Sequence, residues 1–282
     1  MPLPAARLWL GMRWLLLLFG CAGSLYAAAP DFKITPVPGG KYRVFQKQFT
    51  QHINVFGVRV FGTAKTPPAK LRHVAIVLAE YLDNNEDGRP DNPAVLAELV
   101  RRDALMVVTA NERALERLDH EVFQNAGFHA AQGQFATETQ PGGQRFDATL
   151  EEVLHLITHI GYAGAYPKIF GERPGTTLAD CLDRARGGHF RRVPRQYPKG
   201  AWFTYDDRSC DYGCQCTEYL YWAITSVLGA QAAKHRREEI AHEWRLYNRE
   251  LVQKHDPHIF RLITDPKYKL PTRLPDGKYA VK

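Results

Sequence analysis

The segment 147–163 constrains the chain more than any other. It reads as one helix over 148–163 with Asp147 as its cap, and Val153, Leu154, Leu156, Ile157 and Ile160 make it apolar around most of its circumference. A helix of that kind is buried, so the fold must cover it on nearly every side. It nevertheless carries Glu151, Glu152, His155 and His159. At about 100° per residue, with Glu152 at zero, His155 falls at about 300° and His159 at about 340°, one arc over two turns. Two imidazoles at i and i+4 are what a zinc ion takes from a single rigid helix, and buried imidazoles need a partner. The same arc holds Glu151 and Tyr162. A solvated face with Glu151 paired to His155 at i+4 accounts for it as well.

The pattern around the helix is mixed. Segments 42–45 and 53–61 are β-branched and aromatic, partly alternating, and closed by Gly62 and Pro67-Pro68, which predicts strands. Leu71, Val74, Val77, Leu78 and Leu82 repeat at helical spacing over 70–82. A second helix is expected over 93–102, a short apolar strand over 104–110 and a helix over 112–118. The polar, alternating, Gly-interrupted 129–139 suits an edge strand. Segment 164–212 reads mostly as loop, helices are expected over 217–233 and 236–252, and Pro266, Pro271 and Pro275 make the tail extended. The order predicts a single α+β domain over 29–282. Its parts are a sheet-containing lobe at 40–146, the helix at 147–163 and a loop-rich, helical lobe at 164–282.

The helix and the order of elements over 50–235 resemble the zincin metallopeptidases, especially those whose third metal ligand is a glutamate on a later helix. In that family the active helix reads His-Glu-x-x-His and follows a sheet whose edge strand binds peptide. The resemblance implies a zincin-like fold with a mixed sheet in the front half and zinc held by His155 and His159. Glu218, in Thr217-Glu218-Tyr219-Leu220-Tyr221-Trp222-Ala223, matches the later-helix ligand. The implied activity is hydrolysis of peptide bonds by metal-activated water. Leu156 is the departure: it stands where the family has its general-base glutamate, and it accepts no proton. Glu152, one turn earlier, is the candidate for that role or for a ligand. The alternative is a non-catalytic descendant that binds peptide or envelope polymer. Glu152-Val153-Leu154-His155 and Glu239-Ile240-Ala241-His242 also repeat the Glu-x-x-His signature of di-iron four-helix proteins, with Glu218 as a further carboxylate. The charged run 235–239 and the strand-rich front half argue against that reading.

Segment 83–91 offers oxygen donors at the first, third, fifth and ninth positions and Gly88 at the sixth, like the front half of a calcium loop. Calcium at Asp83, Asn85, Asp87 and Asp91 therefore stands beside a plain Asn/Asp/Gly turn. The twelfth position is Ala94, so the bidentate carboxylate is lacking. Trp202, Phe203, Tyr205, Tyr212, Tyr219, Tyr221 and Trp222 suit a core, with Tyr205 or Tyr212 available to polarise a substrate carbonyl. There is no Gly-rich phosphate loop and no Gly-x-Ser-x-Gly elbow.

Arg7 and Arg13, the apolar residues around them and the small residues up to Tyr26-Ala27-Ala28-Ala29-Pro30 form an export signal over 1–28. The apolar run is shorter than the roughly 20 residues of a spanning helix and is broken by Arg13. Leu18-Phe19-Gly20-Cys21 loosely resembles a lipidation site. No later segment is expected to cross a bilayer, and the expected location is periplasmic or secreted. Once Cys21 leaves with the signal, Cys181, Cys210, Cys214 and Cys216 remain, and an oxidising compartment predicts two disulfides, one joining Cys181 to the cluster. The alternative, a zinc knuckle at Cys210, Cys214 and Cys216, has an unusual spacing. The net charge of +7 is locally concentrated at Arg184, Arg186, Arg191, Arg192, Arg195 and Lys199. That stretch reads as a solvated basic loop, so the expected partner is a peptide or protein substrate and not nucleic acid.

Overall fold

Phe56 and Gly57 both have positive φ (51° and 99°), the left-handed pair that a tight two-residue hairpin requires. They fold β1 (Gln51–Val55) back on β2 (Val58–Gly62) as antiparallel neighbours. In this computed structural model, which describes residues 29–142 and 145–282, β3 (Leu105–Thr109) and β4 (Ala131–Phe135) then join parallel to β2. The sheet is mixed and four-stranded, in the order β1-β2-β3-β4. The segment 1–28, with Cys21, lies outside the described residues. Helices α1 (Pro68–Leu82) and α2 (Pro93–Arg101) connect β2 to β3, and α3 (Glu112–Glu116) and α4 (His120–Asn125) connect β3 to β4.

Every residue of β3 is buried because both faces of the sheet are covered. Met106 and Val108 join Val58, Val60 and the apolar faces of α1 and α5 (Thr149–Leu156), while Leu105, Val107 and Phe61 meet Phe45, Phe49, Phe123 and Phe128 on the other side. The strand expected at 42–45 is a 3₁₀ turn, Gly40–Lys47. Tyr42, Phe45 and Phe49 stand at i, i+3 and i+7, a helical period that delivers all three rings to one aromatic cluster.

The central helix is not uniform. It is α-helical over Thr149–Leu156, π-helical over Ile157–Tyr162, and ends in a short turn, α6 (Ala163–Ala165). Two features account for the wider turn. The Thr158 hydroxyl donates to the Leu154 carbonyl at 2.9 Å and so competes for an acceptor of the α-helical ladder. Helix α2 also presses closely here: a Cβ on Gly161 would stand 2.6 Å from Val95 Cγ1, and one on Gly164 2.7 Å from Glu98 Oε2.

The second half is more helical than its composition predicts. Within the expected loop lies α7 (Thr177–Arg186), capped by the Thr176 hydroxyl and closed by Gly187 at φ 75°. Arg186, one of the predicted solvated cations, is fully buried and bonded to Asp183, Gln215 and the Phe190 carbonyl. Helix α8 (Tyr212–Val227) begins before position 217, where Asp211 accepts the Cys214 amide. The expected helix 236–252 is split into α9 (Lys234–Ile240) and α10 (Arg249–His255). Between them Trp244 is driven into the core and donates to Ser226 Oγ. A final helix, α11 (Pro257–Ile263), precedes the tail. The expectation of two disulfides is corrected: Cys210 and Cys214 are bonded, while Cys181 and Cys216 are free and buried. Cys181 sits on the inner face of α7, and Cys216, two residues beyond Cys214 on α8, faces the core instead of Cys214's surface. Among the described residues no helix is long and apolar enough to cross a membrane.

Candidate metal centre

Strand β4 locates the start of α5. Gln134 Nε2 donates to Thr149 Oγ1 at 2.8 Å, and Gln132 Nε2 to Glu152 Oε2 at 2.5 Å. Asp147 Oδ1 accepts the Thr149 amide, while its other oxygen pairs with His73 of α1 at 2.6 Å. Helix α8 packs across α5 and brings Glu218 to His155, with 3.6 Å between His155 Nε2 and Glu218 Oε2. On the other side of the ring, Glu152 Oε2 lies 3.9 Å from His155 Nδ1, and Tyr221 meets the imidazole edge-on at 5.4 Å. Glu151, His155 and Glu218 each place one ligand atom within 4.8 Å of the others.

The electrostatics of this cluster are those of a site short of positive charge. Burial raises Glu151 to about 7, although Tyr221 and Arg236 oppose the rise. Burial, with Glu151 beside it, raises Glu152 to about 8. Burial and then the neighbouring Glu151 push Glu218 to about 9 against a hydrogen bond from Tyr205. The same burial, with His159 adding to it, lowers His155 to about 3. His155 is therefore a neutral imidazole at 7 % exposure, and its Nε2 has no hydrogen-bond partner. A neutral nitrogen beside partly buried carboxyls is a donor set able to hold a metal ion.

Of the residues singled out from sequence, the structure brings together His155, Glu218 and Glu152. Glu151, read there as the pairing partner of His155, is one of the three clustered donors. His159 lies apart from the cluster. Beyond the start of the π-helical turn, it is half-exposed and its Nδ1 bonds Glu172 Oε2 at 2.5 Å. Glu172 was not singled out, since nothing in a Gly/Pro-rich loop marks it from sequence. Leu156 is 2 % exposed and belongs to the apolar core. Tyr205 faces Glu218, whereas Tyr212 bonds Asp183.

The calcium loop is corrected to a turn that spends its own oxygens. Asp83 accepts the Asp87 and Gly88 amides and the Tyr279 hydroxyl, Asn85 the Asp87 amide, Asp87 the Arg89 amide, and Asp91 the Asn84 amide. Two clusters of three metal-ligating side chains occur among the described residues, and neither includes this loop. The second is Asp206, His242 and Glu243, mostly exposed. In the second Glu-x-x-His, Glu239 pairs with Arg236 and His242 is grouped with Asp206 and Glu243, so neither joins the His155 cluster. A cleft of about 560 Å³, lined by Thr137, Glu138, Phe146, Arg236 and Glu239, has Glu151 of the cluster in its wall. Alternate residues of a parallel strand face its partner, and the Ala130 carbonyl and Ala136 amide bond β3. Ala131 and Gly133 thus turn their backbone groups to the open edge of β4. No protein-family model, curated protein or solved structure matches the chain.

Proposed function

We propose that the protein is an exported, zinc-dependent peptide hydrolase of zincin-like build, with Glu151, His155 and Glu218 as the ligands and Glu152 as the base. The observation that carries this reading is the buried His155, whose Nε2 has no hydrogen-bond partner and lies 3.6 Å from Glu218, in a cluster with carboxyls raised well above their ordinary range. One nitrogen and two oxygen donors on two packed helices suit zinc, which in hydrolytic sites takes three protein ligands and leaves a position open. A zinc ion held by Glu151, His155 and Glu218 would supply carbonyl polarisation and a more acidic water.

The chain's own residues supply the rest. The open edge of β4 offers the Ala131 and Gly133 backbone to an extended peptide as an added strand. Glu152, bonded to Gln132 of that strand, would be ionised by the charge of a cation at the cluster and would then take the proton of the attacking water as the new C–O bond forms. The scissile C–N bond then breaks, its electron pair goes to nitrogen, and Glu152 passes on to that nitrogen the proton it took from water. Tyr205 and Tyr221 hold Glu218 and Glu151 in place. Export is supported by the Cys210–Cys214 disulfide.

Purified protein is expected to carry about one equivalent of zinc, lost in His155→Ala, and to cleave members of a mixed quenched-fluorescent peptide library. Zinc retained by His155→Ala would overturn the ligand set. The burial of Leu156 favours a second reading, a zinc-structured peptide-binding protein. It is distinguished by library binding without cleavage.

A further inference from the structure

We propose that the substrate is a peptide bearing a carboxylate, received in a cavity beside the candidate metal centre by Arg145, His235 and Lys278. This rests on the hydrolase reading above and names the class of peptide that the site takes.

Three observations support it. The first is place. A cavity of about 670 Å³ has Asp147 and Leu150 on one wall and the tail segment 274–278 on another. Gln140, Arg145, Phe146, His235 and Arg236 line both this cavity and the cleft that has Glu151 in its wall. The two are therefore neighbouring compartments, and one extended ligand can occupy both. The second is that internal bonds hold the walls. Glu80, buried on α1, accepts the Asp276, Gly277 and Lys278 amides at 3.1, 2.9 and 3.3 Å and so pins the tail. Gly277, at φ 76°, lies so close that a Cβ on it would stand 2.7 Å from His73 Cε1. The His73–Asp147 pair is nearly buried, and Asp147 also takes the Gln140 amide at 2.9 Å, which fixes the opposite rim. Arg236 lies buried over the Phe146 ring at 3.9 Å, with its nitrogens bonded to Gln231, Tyr221 and Glu239.

The third is the charge left over. Arg145, His235 and Lys278 are exposed in the lining, and their side chains have no hydrogen bond or ion pair among the described residues. The carboxylates of the lining are already engaged: Asp147 with His73, and Asp276 with the Lys278 amide. Phe146, Leu150 and Leu274 add apolar surface. Guanidinium and ammonium donors grouped beside apolar surface select a carboxylate carried on a carbon chain, whether an acidic side chain or the peptide's own C-terminus. In the neighbouring cleft Glu239 pairs with Arg236, Glu138 accepts the Phe135 amide, and Glu151 belongs to the metal cluster. That compartment is acidic, so a carboxylate is favoured only at the cavity end, and the charge contrast orients the peptide.

The test uses the full chain loaded with zinc and one quenched-fluorescent peptide library in three forms. One form is amidated with neutral side chains, one has a free C-terminus, and one is amidated with glutamate in place of glutamine. At low salt at least one carboxylate form should be cleaved about tenfold faster than the neutral form at limiting substrate. The advantage should shrink several-fold at about 0.5 M salt. A faster free-terminus form assigns the cavity to a C-terminal carboxylate, and a faster glutamate form to an acidic side chain. In Arg145→Glu with Lys278→Glu the ratio of charged to neutral cleavage should fall to about one or below. A ratio of one in the wild type, or a ratio unmoved by the double reversal, overturns the proposal and leaves the hydrolase reading standing. If the zinc-loaded wild type cleaves nothing, the hydrolase reading fails, and fluorescence anisotropy with the same three forms decides this one. A Kd about tenfold tighter for a carboxylate form keeps the carboxylate site, whereas equal or absent binding overturns it as well.

Discussion

Replacing Glu218 with glutamine tests whether the buried carboxylates are held together without a cation of their own. Glu218 rises from an ordinary value of 4.5 to about 9, chiefly by burial. A carboxyl that keeps its proton in the fold and loses it in the unfolded chain makes stability fall as pH rises, from the unfolded value up to the folded one. Each pH unit in that window is worth about 1.4 kcal/mol, so between pH 5 and pH 8 the ceiling is about 4 kcal/mol for metal-free protein. Part of the rise comes from Glu151 and Glu152, which remain in the variant. About 2 kcal/mol is therefore the expected difference. His155, lowered to about 3, acts in the opposite sense, since its stabilising effect is lost as pH falls below about 6.5. It is present in both proteins and drops out of the comparison. The assay is urea unfolding at pH 5, 6, 7 and 8 in the presence of a chelator. The wild type should lose about 2 kcal/mol more than Glu218→Gln across that range, and the variant should be the more stable protein at pH 8. Zinc should reverse the ranking, adding about 2.7 kcal/mol to the wild type at one hundred times its Kd and much less to the variant. Parallel pH slopes in the chelated proteins would refute the reasoning.

Glu152→Gln should retain zinc while lowering turnover by about 10²–10⁴-fold, and a loss of zinc instead would make Glu152 a ligand. Thiol titration of unreduced, denatured protein should find Cys181 and Cys216 free, and both should be unreactive in the native state, where burial pushes Cys181 up to about 12. Cys210→Ser with Cys214→Ser should lower stability by about 2 kcal/mol, the chain-entropy value for so short a loop; no change in Tm would contradict it. Gly161→Ala should destabilise by about 1–3 kcal/mol through the clash with Val95, and Val95→Ala should recover part of the loss in the double variant.

The candidate site was legible in part. His155 and Glu152 announce themselves as polar residues on an apolar helix, because a buried imidazole without a partner is too unfavourable to be incidental. The i, i+4 rule also grouped His159 with His155, on the assumption of an α-helical turn. Thr158 and the close approach of α2 replace that turn with a π-helical one, and Glu172 captures His159. Thr158 is local but common in helices, and the approach of α2 and of Glu172 is set by segments distant in sequence, so the histidine spacing carried no sign of them. Glu172 itself lies in a loop whose position is set by Thr217, 45 residues away.

By itself the sequence determined the α+β class, β3 and the edge position of β4, and the burial of the helix beginning near 148. These follow from hydrophobic period and from breakers such as Gly62 and Pro67-Pro68, which act within a few residues. The turn at Phe56-Gly57, which splits the strand run expected at 53–61 into β1 and β2, is not among them. Tertiary structure alone decided which polar groups meet. Tyr42 and Phe45 leave the extended state for a 3₁₀ turn because an aromatic cluster awaits them, and Trp244 breaks a charged helix because Ser226 and the core receive its indole. In the same way α8 crosses α5 at the height that sets Glu218 against His155 and Glu172 against His159. The physical reason is range. Propensity and periodicity are summed over neighbours in the chain, whereas a site is fixed by packing between segments that are distant in sequence and share one buried, low-dielectric volume.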